Sequence, residues 1–187
     1  MKQIAVVGAG TMGNGIAHVF AQNGFNVTLI DVNPGQLLKA KETITKNLDR
    51  QIAKGLLTEE QKQHTLNNIS TTHDLLEGVA NAELVVEAAT ENAALKLDIF
   101  AEIDKAAPAG CILATNTSSI SITKIAAVTN RPQLVIGMHF MNPVPVMKLV
   151  EIINGYATTK EVTDTIVELS KQLGLSLIHI SEPTRPY

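Results

Sequence analysis

The chain begins with a short apolar run that passes directly into a glycine-rich turn, Gly8-Ala9-Gly10-Thr11-Met12-Gly13. Glycines at this spacing are common in turns, and the pattern G-x-G-x-x-G alone predicts little. Here it follows a predicted strand, Ile4 to Val7, and opens a predicted helix, Thr11 to Asn23. In that context the three glycines allow a tight turn, a close approach of the backbone to a ligand, and close packing of helix on strand. The N–H groups at the helix start then favour an anion such as a phosphate.

Short apolar runs continue to alternate with helical stretches along the chain. The further predicted strands are Asn26 to Ile30, Ile69 to Thr71, Glu83 to Glu87, Cys111 to Thr115, Leu134 to Met138 and Met147 to Ile153. The further predicted helices are Pro34 to Lys54, Thr58 to Asn67, Ala93 to Ala107, Ser121 to Val128 and Lys160 to Leu173. Strands that are continuously apolar indicate a parallel sheet covered on both faces. The prediction is therefore an α/β fold of the Rossmann type, doubly wound, with a mostly parallel sheet and helices on both faces.

Composition excludes several classes of protein. The 187 residues are 45% apolar and 18% charged, which is typical of a soluble globular protein, and the net charge of −3 gives no indication of nucleic acid as a partner. No apolar run is long enough to span a membrane, and the first residues resemble neither a signal peptide nor a transit peptide. With one cysteine, Cys111 in the run CILAT, no disulfide within the chain is possible. We therefore expect a cytoplasmic location and a buried Cys111, with no membrane partner and no metal site.

An acidic residue follows the second predicted strand. Asp31 comes eighteen residues after Gly13, at the spacing where a carboxylate accepts hydrogen bonds from the adenosine ribose of a dinucleotide. The carboxylate would repel a 2′-phosphate, and the following Val32 and Asn33 provide no cation to neutralise one. The sequence thus predicts NAD rather than NADP, with a purely structural turn and a helix-capping Asp31 as the alternative.

Two polar segments follow later predicted strands. Asn116-Thr117-Ser118-Ser119 comes after the run CILAT, and Gly137-Met138-His139-Phe140-Met141-Asn142-Pro143 comes after the run LVI. The carboxyl ends of parallel strands meet at the edge of the sheet where ligands bind. We therefore expect both segments to lie beside the dinucleotide.

These segments contain the groups that oxidation of an alcohol requires. Hydride transfer needs a base for the hydroxyl proton and donors that hold the oxygen as it becomes a carbonyl. His139 fits the base, because imidazole titrates near neutral pH, and Ser118 and Asn116 fit the oxygen-holding role. Glu151, at the end of MKLVE, fits a group that orients the imidazole and stabilises its charged form. The alternatives are a core histidine beside Phe and Met and a solvated glutamate at a strand end.

Four segments together, GAGTMGNGIA, VVEAATEN, ATNTSSISI and GMHFMNPVPVMKLVEII, resemble the 3-hydroxyacyl-CoA dehydrogenase family, in particular its bacterial 3-hydroxybutyryl-CoA members. The resemblance runs from Met1 to about Gly174, and the blocks around NTSS and GMHF are far more specific than the glycine turn. It implies reversible oxidation of an (S)-3-hydroxyacyl-CoA thioester, 3-hydroxybutyryl-CoA above all, to the 3-oxoacyl-CoA with NAD.

The resemblance also implies roles for individual residues. His139 would be the base and Glu151 its partner. Ser118 and Asn116 would contact the substrate oxygen and the nicotinamide. The residues that it implies as contacts of NAD are Gly8, Gly10, Thr11, Met12, Gly13, Asp31, Glu91, Lys96, Asn116 and Asn142, with Glu91 and Lys96 near the nicotinamide ribose.

A basic stripe on the second predicted helix is a candidate for CoA binding. Lys46, Arg50 and Lys54 recur every four residues, which places them on one helical face. The family places CoA partly against the helical hairpin after the second strand, so that its phosphates would meet this stripe while Ser118 contacts the thioester end. From the residues alone, a plain solvated face is an equal alternative.

The C-terminal residues depart from the family pattern. The family continues into an all-helical domain that covers the acyl group and forms a homodimer, and that domain is expected to be absent here. Leu175 to Tyr187, LSLIHISEPTRPY, resembles translated sequencing-adapter DNA instead. We therefore predict an NAD-binding domain over 1–174 and a non-native tail over 175–187, in which His179 and Glu182 have no function. The apolar part of the tail is β-prone and is expected to add to the sheet if it folds. Without the helical domain, we expect NAD binding but poor turnover.

Two other functions remain open from the residues. One is an NAD-dependent dehydrogenase of small free hydroxy acids, against which the His139–Glu151 pair and the basic stripe argue. The other is a non-catalytic NAD(H)-binding protein such as a redox sensor, since a fold does not determine a function. The presence of Ser118, His139 and Glu151 together favours the enzyme.

Overall fold

A computed structural model of the protein describes residues 1–181. The strands are β1 (Gln3–Val7), β2 (Asn26–Ile30), β3 (Ile69–Thr72), β4 (Leu84–Glu87), β5 (Ile112–Thr115), β6 (Val135–Phe140), β7 (Leu149–Asn154) and β8 (Ser176–Ser181). The helices are α1 (Thr11–Gln22), α2 (Pro34–Ala53), α3 (Glu59–Asn67), α4 (Leu75–Val79), α5 (Ala93–Ala106), α6 (Ile122–Ala126) and α7 (Lys160–Gln172), and a 3-10 turn at Pro132–Leu134 precedes β6.

The described strands lie in one sheet, in the order β3-β2-β1-β4-β5-β6-β7-β8. Neighbouring strands of this sheet run parallel, except that β6 and β7 are antiparallel. The chain moves from β1 outward to β2 and β3, then returns to β4 on the other side of β1. Ligands of such sheets bind in the crevice at this reversal, outside the carboxyl ends of the strands. The topology confirms the predicted Rossmann-type fold.

Side chains of the strands alternate between two buried cores, one on each face of the sheet. Val6 of β1 packs in the first core with Ile44 of α2, and both side chains are fully buried. Leu113 of β5 packs in the second core with Phe100 of α5, again without solvent exposure. Because both faces of the sheet are covered, the strands are apolar along their whole length, which is the pattern that the sequence showed.

Cys111 lies immediately before β5 and is buried, as predicted. Burial raises the pKa of its thiol to about 11. The thiol therefore stays protonated near neutral pH, and a protonated, buried thiol is neither a nucleophile nor a ready target of oxidation. In residues 1–181, no helix combines the length and the apolar character that crossing a bilayer requires.

The structure differs from the sequence-based elements at three places. The short helix α4 was not predicted, because its five residues include Gly78 and glycine is a poor helix former. Asp74 caps this helix by accepting from the backbone N–H of Glu77 at 3.0 Å. Strand β6 continues through Phe140, so His139 lies inside a strand and not after it. Strand β7 begins at Leu149 and continues to Asn154, which places Glu151 in its middle.

The segment after Gly174 forms β8, which pairs in parallel with β7 over its whole length. Leu175 is buried in the first core, and Leu177 packs against that core. The expectation that this apolar segment adds a strand is therefore confirmed for residues 176–181. Its proposed non-native origin stays a prediction, and the expectation for Glu182 lies outside the described residues.

The buried His18 of α1 predicts a pH-dependent stability. Burial lowers the pKa of His18, although a hydrogen bond with Gln22 acts in the opposite direction. Below about pH 6.5 the unfolded chain therefore binds a proton that the folded chain refuses. We expect the free energy of unfolding to fall with decreasing pH there, by at most about 1.4 kcal/mol per pH unit from this group, and to be independent of it above pH 6.5.

Urea denaturation of the parent chain and of His18→Gln between pH 5 and 7.5 measures this effect. The glutamine cannot titrate, so the variant should lose part of the decline in stability below pH 6.5. The exposed His73 provides the matched control, because His73→Gln should keep the parent's profile. Equal profiles for His18→Gln and the parent would contradict the prediction.

Candidate active site

The parallel strands direct their carboxyl ends to one edge of the sheet. The last residues of β1, β2, β4, β5 and β6 there are Val7, Ile30, Glu87, Thr115 and Phe140. The loops that follow these strands contain Asp31, Glu91, Asn116, Ser118 and Asn142, whereas His139 lies within β6 and Glu151 within β7. The crevice between the loops after β1 and β4 is consequently the position expected of a bound dinucleotide.

The three glycines of the first loop meet different physical requirements. Gly8 has a φ of +98°, and a Cβ on it would lie 2.6 Å from the Cα of Ala89. A Cβ on Gly13 would lie 1.7 Å from the carbonyl oxygen of Gly8, so close packing of α1 on β1 excludes any side chain there. A Cβ on Gly10 would meet no protein atom within 4 Å. The protein therefore needs glycine at positions 8 and 13, whereas the space beside Gly10 fits a ligand.

Gly10 is also the N-cap residue of α1, and no side chain caps the N-terminus of this helix. The first N–H groups of a helix have no partners within it, and a phosphate is a suitable acceptor for them. The first turn of α1 contains no acidic residue that would repel such an anion. The geometry of this turn therefore fits the pyrophosphate of a dinucleotide.

We expect the substitution Gly10→Ala to weaken NADH binding about tenfold, because the added methyl group would occupy the space of the pyrophosphate. The free energy of unfolding should change by less than about 0.5 kcal/mol, since the methyl meets no protein atom. Fluorescence titration with NADH and urea denaturation measure the two quantities. Gly110, in an equally open turn away from the crevice, is the control position. Unchanged NADH affinity in Gly10→Ala would contradict the assignment of this space to the cofactor.

Asp31 follows β2 and is held by two backbone amides. Its Oδ2 accepts from the N–H of Ala9 at 2.8 Å, and its Oδ1 accepts from the N–H of Asn33 at 2.9 Å. These bonds join the carboxylate to the glycine turn and fix its orientation while the side chain stays partly exposed. Since a carboxylate oxygen accepts more than one hydrogen bond, Asp31 keeps the capacity to bind ribose hydroxyls.

The loop after β6 closes one side of the glycine turn. A cavity of about 260 Å³ lies between them, and Gly10, Thr11 and Asn142 all line it. Val144 of the same loop packs on α1, where a Cβ on Gly15 would come within 2.8 Å of its side chain. The structure thus brings Asn142 to the turn, as expected of a cofactor contact. Met12 differs, because its side chain packs partly buried against the core.

The segment from Asn116 to Ser118 is fixed by its neighbours. The Oδ1 of Asn116 accepts from the backbone N–H of Phe140 at 2.8 Å, which joins the ends of β5 and β6. The carboxylate of Glu91, from the loop after β4, accepts from the hydroxyl of Thr117 at 2.7 Å and from the N–H of Ser118 at 3.1 Å. The side chain of Ser118 is exposed. Glu91 therefore holds the loop that carries Ser118, a role that the sequence did not suggest.

His139 and Glu151 are brought together by the antiparallel pairing of β6 and β7. The two residues lie directly opposite each other in the register, and the Nδ1 of His139 is 2.8 Å from the Oε2 of Glu151. Because a carboxylate can only accept, Nδ1 carries the hydrogen, and in the neutral imidazole Nε2 is then the proton acceptor. The side chains are 20% and 30% exposed, so the pair is open to a ligand. His139 is thus a half-buried, hydrogen-bonded histidine, and its role as the base stays a prediction.

Lys96 forms a buried ion pair with Glu87. Their side chains are 1% and 0% exposed, and the hydroxyl of Thr115 donates to the same carboxylate at 3.0 Å. The other oxygen of Glu87 accepts from the N–H of Ala89 at 2.8 Å, which fixes the loop after β4. The resemblance implies Lys96 near the nicotinamide ribose; the structure shows its ammonium buried against Glu87, at the carboxyl end of β4, and the role toward the ribose stays a prediction. In the sequence, the only sign that Glu87 has a special role was its position as an acidic residue at the end of an apolar strand.

The predicted basic stripe lines a second cavity only in part. Arg50 and Lys54 line a groove of about 700 Å³ between α2 and the loop before β7, whereas Lys46 is exposed and does not line it. The groove is lined by Asn47, Arg50 and Gln51 of α2 and by Lys54, which caps the end of this helix. These residues are three or four positions apart and form a helical face that points away from Lys46. Lys148, just before β7, adds a cation to the lining that sequence spacing did not predict.

Fold and site together define a dinucleotide-binding domain of the dehydrogenase class. A family model described as "3-hydroxyacyl-CoA dehydrogenase, NAD binding domain" matches residues 3–183. The chain belongs to this family of NAD-binding domains, as the resemblance predicted, and NAD is the cofactor of the family.

Curated relatives and solved structures agree with this family. A protein named "Probable 3-hydroxybutyryl-CoA dehydrogenase" from Bacillus subtilis is 47% identical over 97% of this chain and 63% of its own length. The human protein named "Hydroxyacyl-coenzyme A dehydrogenase, mitochondrial" is 42% identical over 93% of this chain and 57% of its own length. The crystal structure of (S)-3-hydroxybutyryl-CoA dehydrogenase from Ralstonia eutropha has a TM-score of 0.95 and 44% identity, covering 99% of this chain and 65% of that one. This chain thus spans about three fifths of the length of these relatives.

Proposed function

We propose that the chain is the NAD-binding part of an enzyme that interconverts an (S)-3-hydroxyacyl-CoA, namely 3-hydroxybutyryl-CoA, and the 3-oxoacyl-CoA. The observation that carries the proposal is the contact of His139 with Glu151 at the carboxyl edge of a dinucleotide-binding sheet. The names of the relatives from Bacillus subtilis and Ralstonia eutropha support the substrate class.

In the direction of oxidation, His139 accepts the proton of the substrate hydroxyl at Nε2. Glu151, on the opposite nitrogen, orients the ring and stabilises the imidazolium that forms. NAD, when bound, supplies the acceptor for the hydride that leaves the same carbon. The proton and the hydride thus leave the alcohol by different routes, and reduction reverses both.

Asn116 and Ser118 hold the substrate oxygen as it becomes a carbonyl. The Oδ1 of Asn116 accepts from Phe140, so its amide Nδ2 is directed by that bond and can donate to another oxygen. Ser118 is placed by the bond between its backbone and Glu91, with its hydroxyl exposed. Positioned donors of this kind stabilise charge that develops on oxygen in the transition state.

The groove lined by Arg50, Lys54 and Lys148 would take the CoA part of the substrate. Three cations around one groove favour the phosphates of CoA, and the apolar Leu56 and Val146 in the same lining favour its carbon-rich portions. Lys46, one helical turn from Arg50, does not line this groove, and its contact with CoA stays a prediction. A free hydroxy acid has no phosphate to meet these cations, so the groove favours a thioester substrate.

We expect this chain by itself to bind NADH and to turn over slowly. The pair of His139 and Glu151 is partly exposed, and an open site allows water to enter and positions a substrate poorly. The relatives contain about a further two fifths of their length outside the matched part, and we propose that full activity and the homodimer of the longer protein depend on that part. We also propose that the longer protein acts in the cytoplasm.

A spectrophotometric assay at the absorbance of NADH tests the proposal with acetoacetyl-CoA as substrate. It compares this chain with a joined chain, in which residues 1–174 continue into the remaining part of the Bacillus subtilis relative. Oxidation of NADH by the joined chain, at a rate far above that of this chain, supports the proposal. A joined chain that folds and binds NADH but does not oxidise it with acetoacetyl-CoA would contradict it. Activity with free acetoacetate instead would favour a hydroxy-acid dehydrogenase.

A further inference from the structure

A buried polar network joins α1 to α2 next to the groove. The Nε2 of His18 lies 2.8 Å from the Oε1 of Gln22, and His18 is fully buried. The Nε2 of Gln22 donates to the Oε1 of Gln51 at 2.7 Å, and the Nε2 of Gln51 donates back to Gln22 at 3.3 Å. Two carboxamides thus pair with each other, and the imidazole contacts both, since its Nε2 also lies 3.4 Å from the Nε2 of Gln51.

The imidazole fixes which way both amides face. The Nδ1 of His18 is buried without a hydrogen-bond partner. Burial lowers the pKa of His18, so the neutral ring is favoured. The single ring hydrogen then belongs on Nε2, because an N–H at the unpartnered Nδ1 would be more costly in the core than a nitrogen without a hydrogen. Nε2 then donates to Gln22, whose oxygen must face the ring. That orientation in turn decides which atom of Gln51 faces Gln22.

Both glutamines also line the groove of about 700 Å³ that contains Arg50, Lys54 and Lys148. Gln22 uses one N–H in the pair and has a second N–H that the pair does not use. The Nε2 of Gln51 contacts both Gln22 and His18, so Gln51 offers instead the second lone pair of its Oε1. Both side chains are partly exposed, so these groups are within reach of a ligand in the groove. The groove therefore has neutral hydrogen-bonding groups of fixed orientation beside its cations.

We propose that Gln22 and Gln51 are specificity-determining residues that hydrogen-bond the CoA part of the substrate, and that His18 is the positioning residue that fixes their orientation. This inference rests on the proposed function, since it takes a CoA thioester as the occupant of the groove. The cations bind the phosphates of CoA, and the carboxamides pair with its neutral amide and ring-nitrogen groups. Buried or half-buried donors of fixed orientation discriminate against ligands that lack a partner for them.

Isothermal titration of the chain with CoA, beside fluorescence titration with NADH, tests the inference. Gln51→Met removes the carboxamide and keeps the length and helical preference of the side chain. We expect it to weaken CoA binding about tenfold and to leave NADH binding unchanged. Gln172→Met, at the exposed end of α7, is the matched control and should change neither affinity.

Two substitutions of His18 separate positioning from packing. His18→Met fills the volume without a donor and should weaken CoA binding about as much as Gln51→Met. His18→Gln places an amide nitrogen near the position of Nε2 and should restore most of the CoA affinity. If the network only held α1 and α2 together, His18→Met and His18→Gln would not differ in CoA affinity while NADH binding stays constant.

The affinities of the parent and the variants for CoA and NADH decide between binding, folding and no role for the glutamine pair. Equal CoA affinity in the parent, Gln51→Met and His18→Met would overturn the inference and leave the proposed function intact. Loss of CoA and NADH binding together in Gln51→Met would also overturn it, by assigning the pair to folding alone. A parent chain that binds NADH but not CoA would overturn both the inference and the assignment of the groove to a CoA thioester.

Discussion

In the joined chain, we expect His139→Gln to lower kcat for the reduction of acetoacetyl-CoA about 10³-fold, because the variant has no group that can exchange the proton of the substrate oxygen. Glutamine has a similar polar side chain, so NADH binding and the free energy of unfolding should remain close to those of the parent. The rate at the absorbance of NADH, under saturating substrate, measures the effect.

The contact with Glu151 makes a sharper test possible. If the two side chains act as one unit, Glu151→Gln should also lower kcat, and the double variant should be no slower than His139→Gln alone. If kcat of the double variant falls by the product of the two single effects, the two side chains act independently. His73→Gln, an exposed histidine outside the crevice, provides the control and should retain full activity. Parent-like turnover in His139→Gln would contradict the assignment of the base.

The second large effect is expected in the buried ion pair. Glu87→Gln leaves the ammonium of Lys96 buried without a countercharge, and breaking a buried pair in this way costs about 3–5 kcal/mol. The substitution also removes a charged acceptor for the N–H of Ala89, so the loop that leads to Glu91 should loosen. Urea denaturation monitored by circular dichroism measures the change in the free energy of unfolding.

An exposed pair of the same chemistry is available as a control. Glu102 and Lys105 of α5 form an ion pair with 49% and 67% exposed side chains, so Glu102→Gln should cost less than about 1 kcal/mol. The double variant Glu87→Gln with Lys96→Met should recover much of the stability, because it leaves no unpaired charge. A cost for Glu87→Gln no greater than that of Glu102→Gln would show that the buried pair does not stabilise the fold.

The sequence predicted the fold because its signals are local. The helices and most strands follow from apolar runs, helical periods and glycines that act within a few residues of one another. The glycine turn with Asp31 was recognisable for the same reason, since a strand, a turn and a helix form one contiguous unit. Helix α4 was missed because its few residues include Gly78, which weakens the local helical signal.

Position in the site was less predictable than the identity of the residues. Lys46 was predicted to share one helical face with Arg50 and Lys54. The groove beside α2 is lined by Arg50 and Lys54 and not by Lys46, because the position of the loop before β7 decides which side of the helix is covered. Lys148 and the pair of Gln22 with Gln51 contribute to the same groove from separate parts of the chain. No spacing in the sequence relates these residues.

By itself, therefore, the sequence determined a mostly parallel α/β sheet, a glycine turn at the start of a helix and the family of NAD-binding domains, since each depends on neighbouring residues. Only the tertiary structure decided how the polar groups of the candidate site meet. His139 and Glu151, twelve residues apart, come into contact because β7 turns back antiparallel to β6 in one particular register. A shift of that register by one residue would turn one of the two side chains to the other face of the sheet. Strand direction and register depend on the burial of the whole sheet, and no short segment of the chain contains that information.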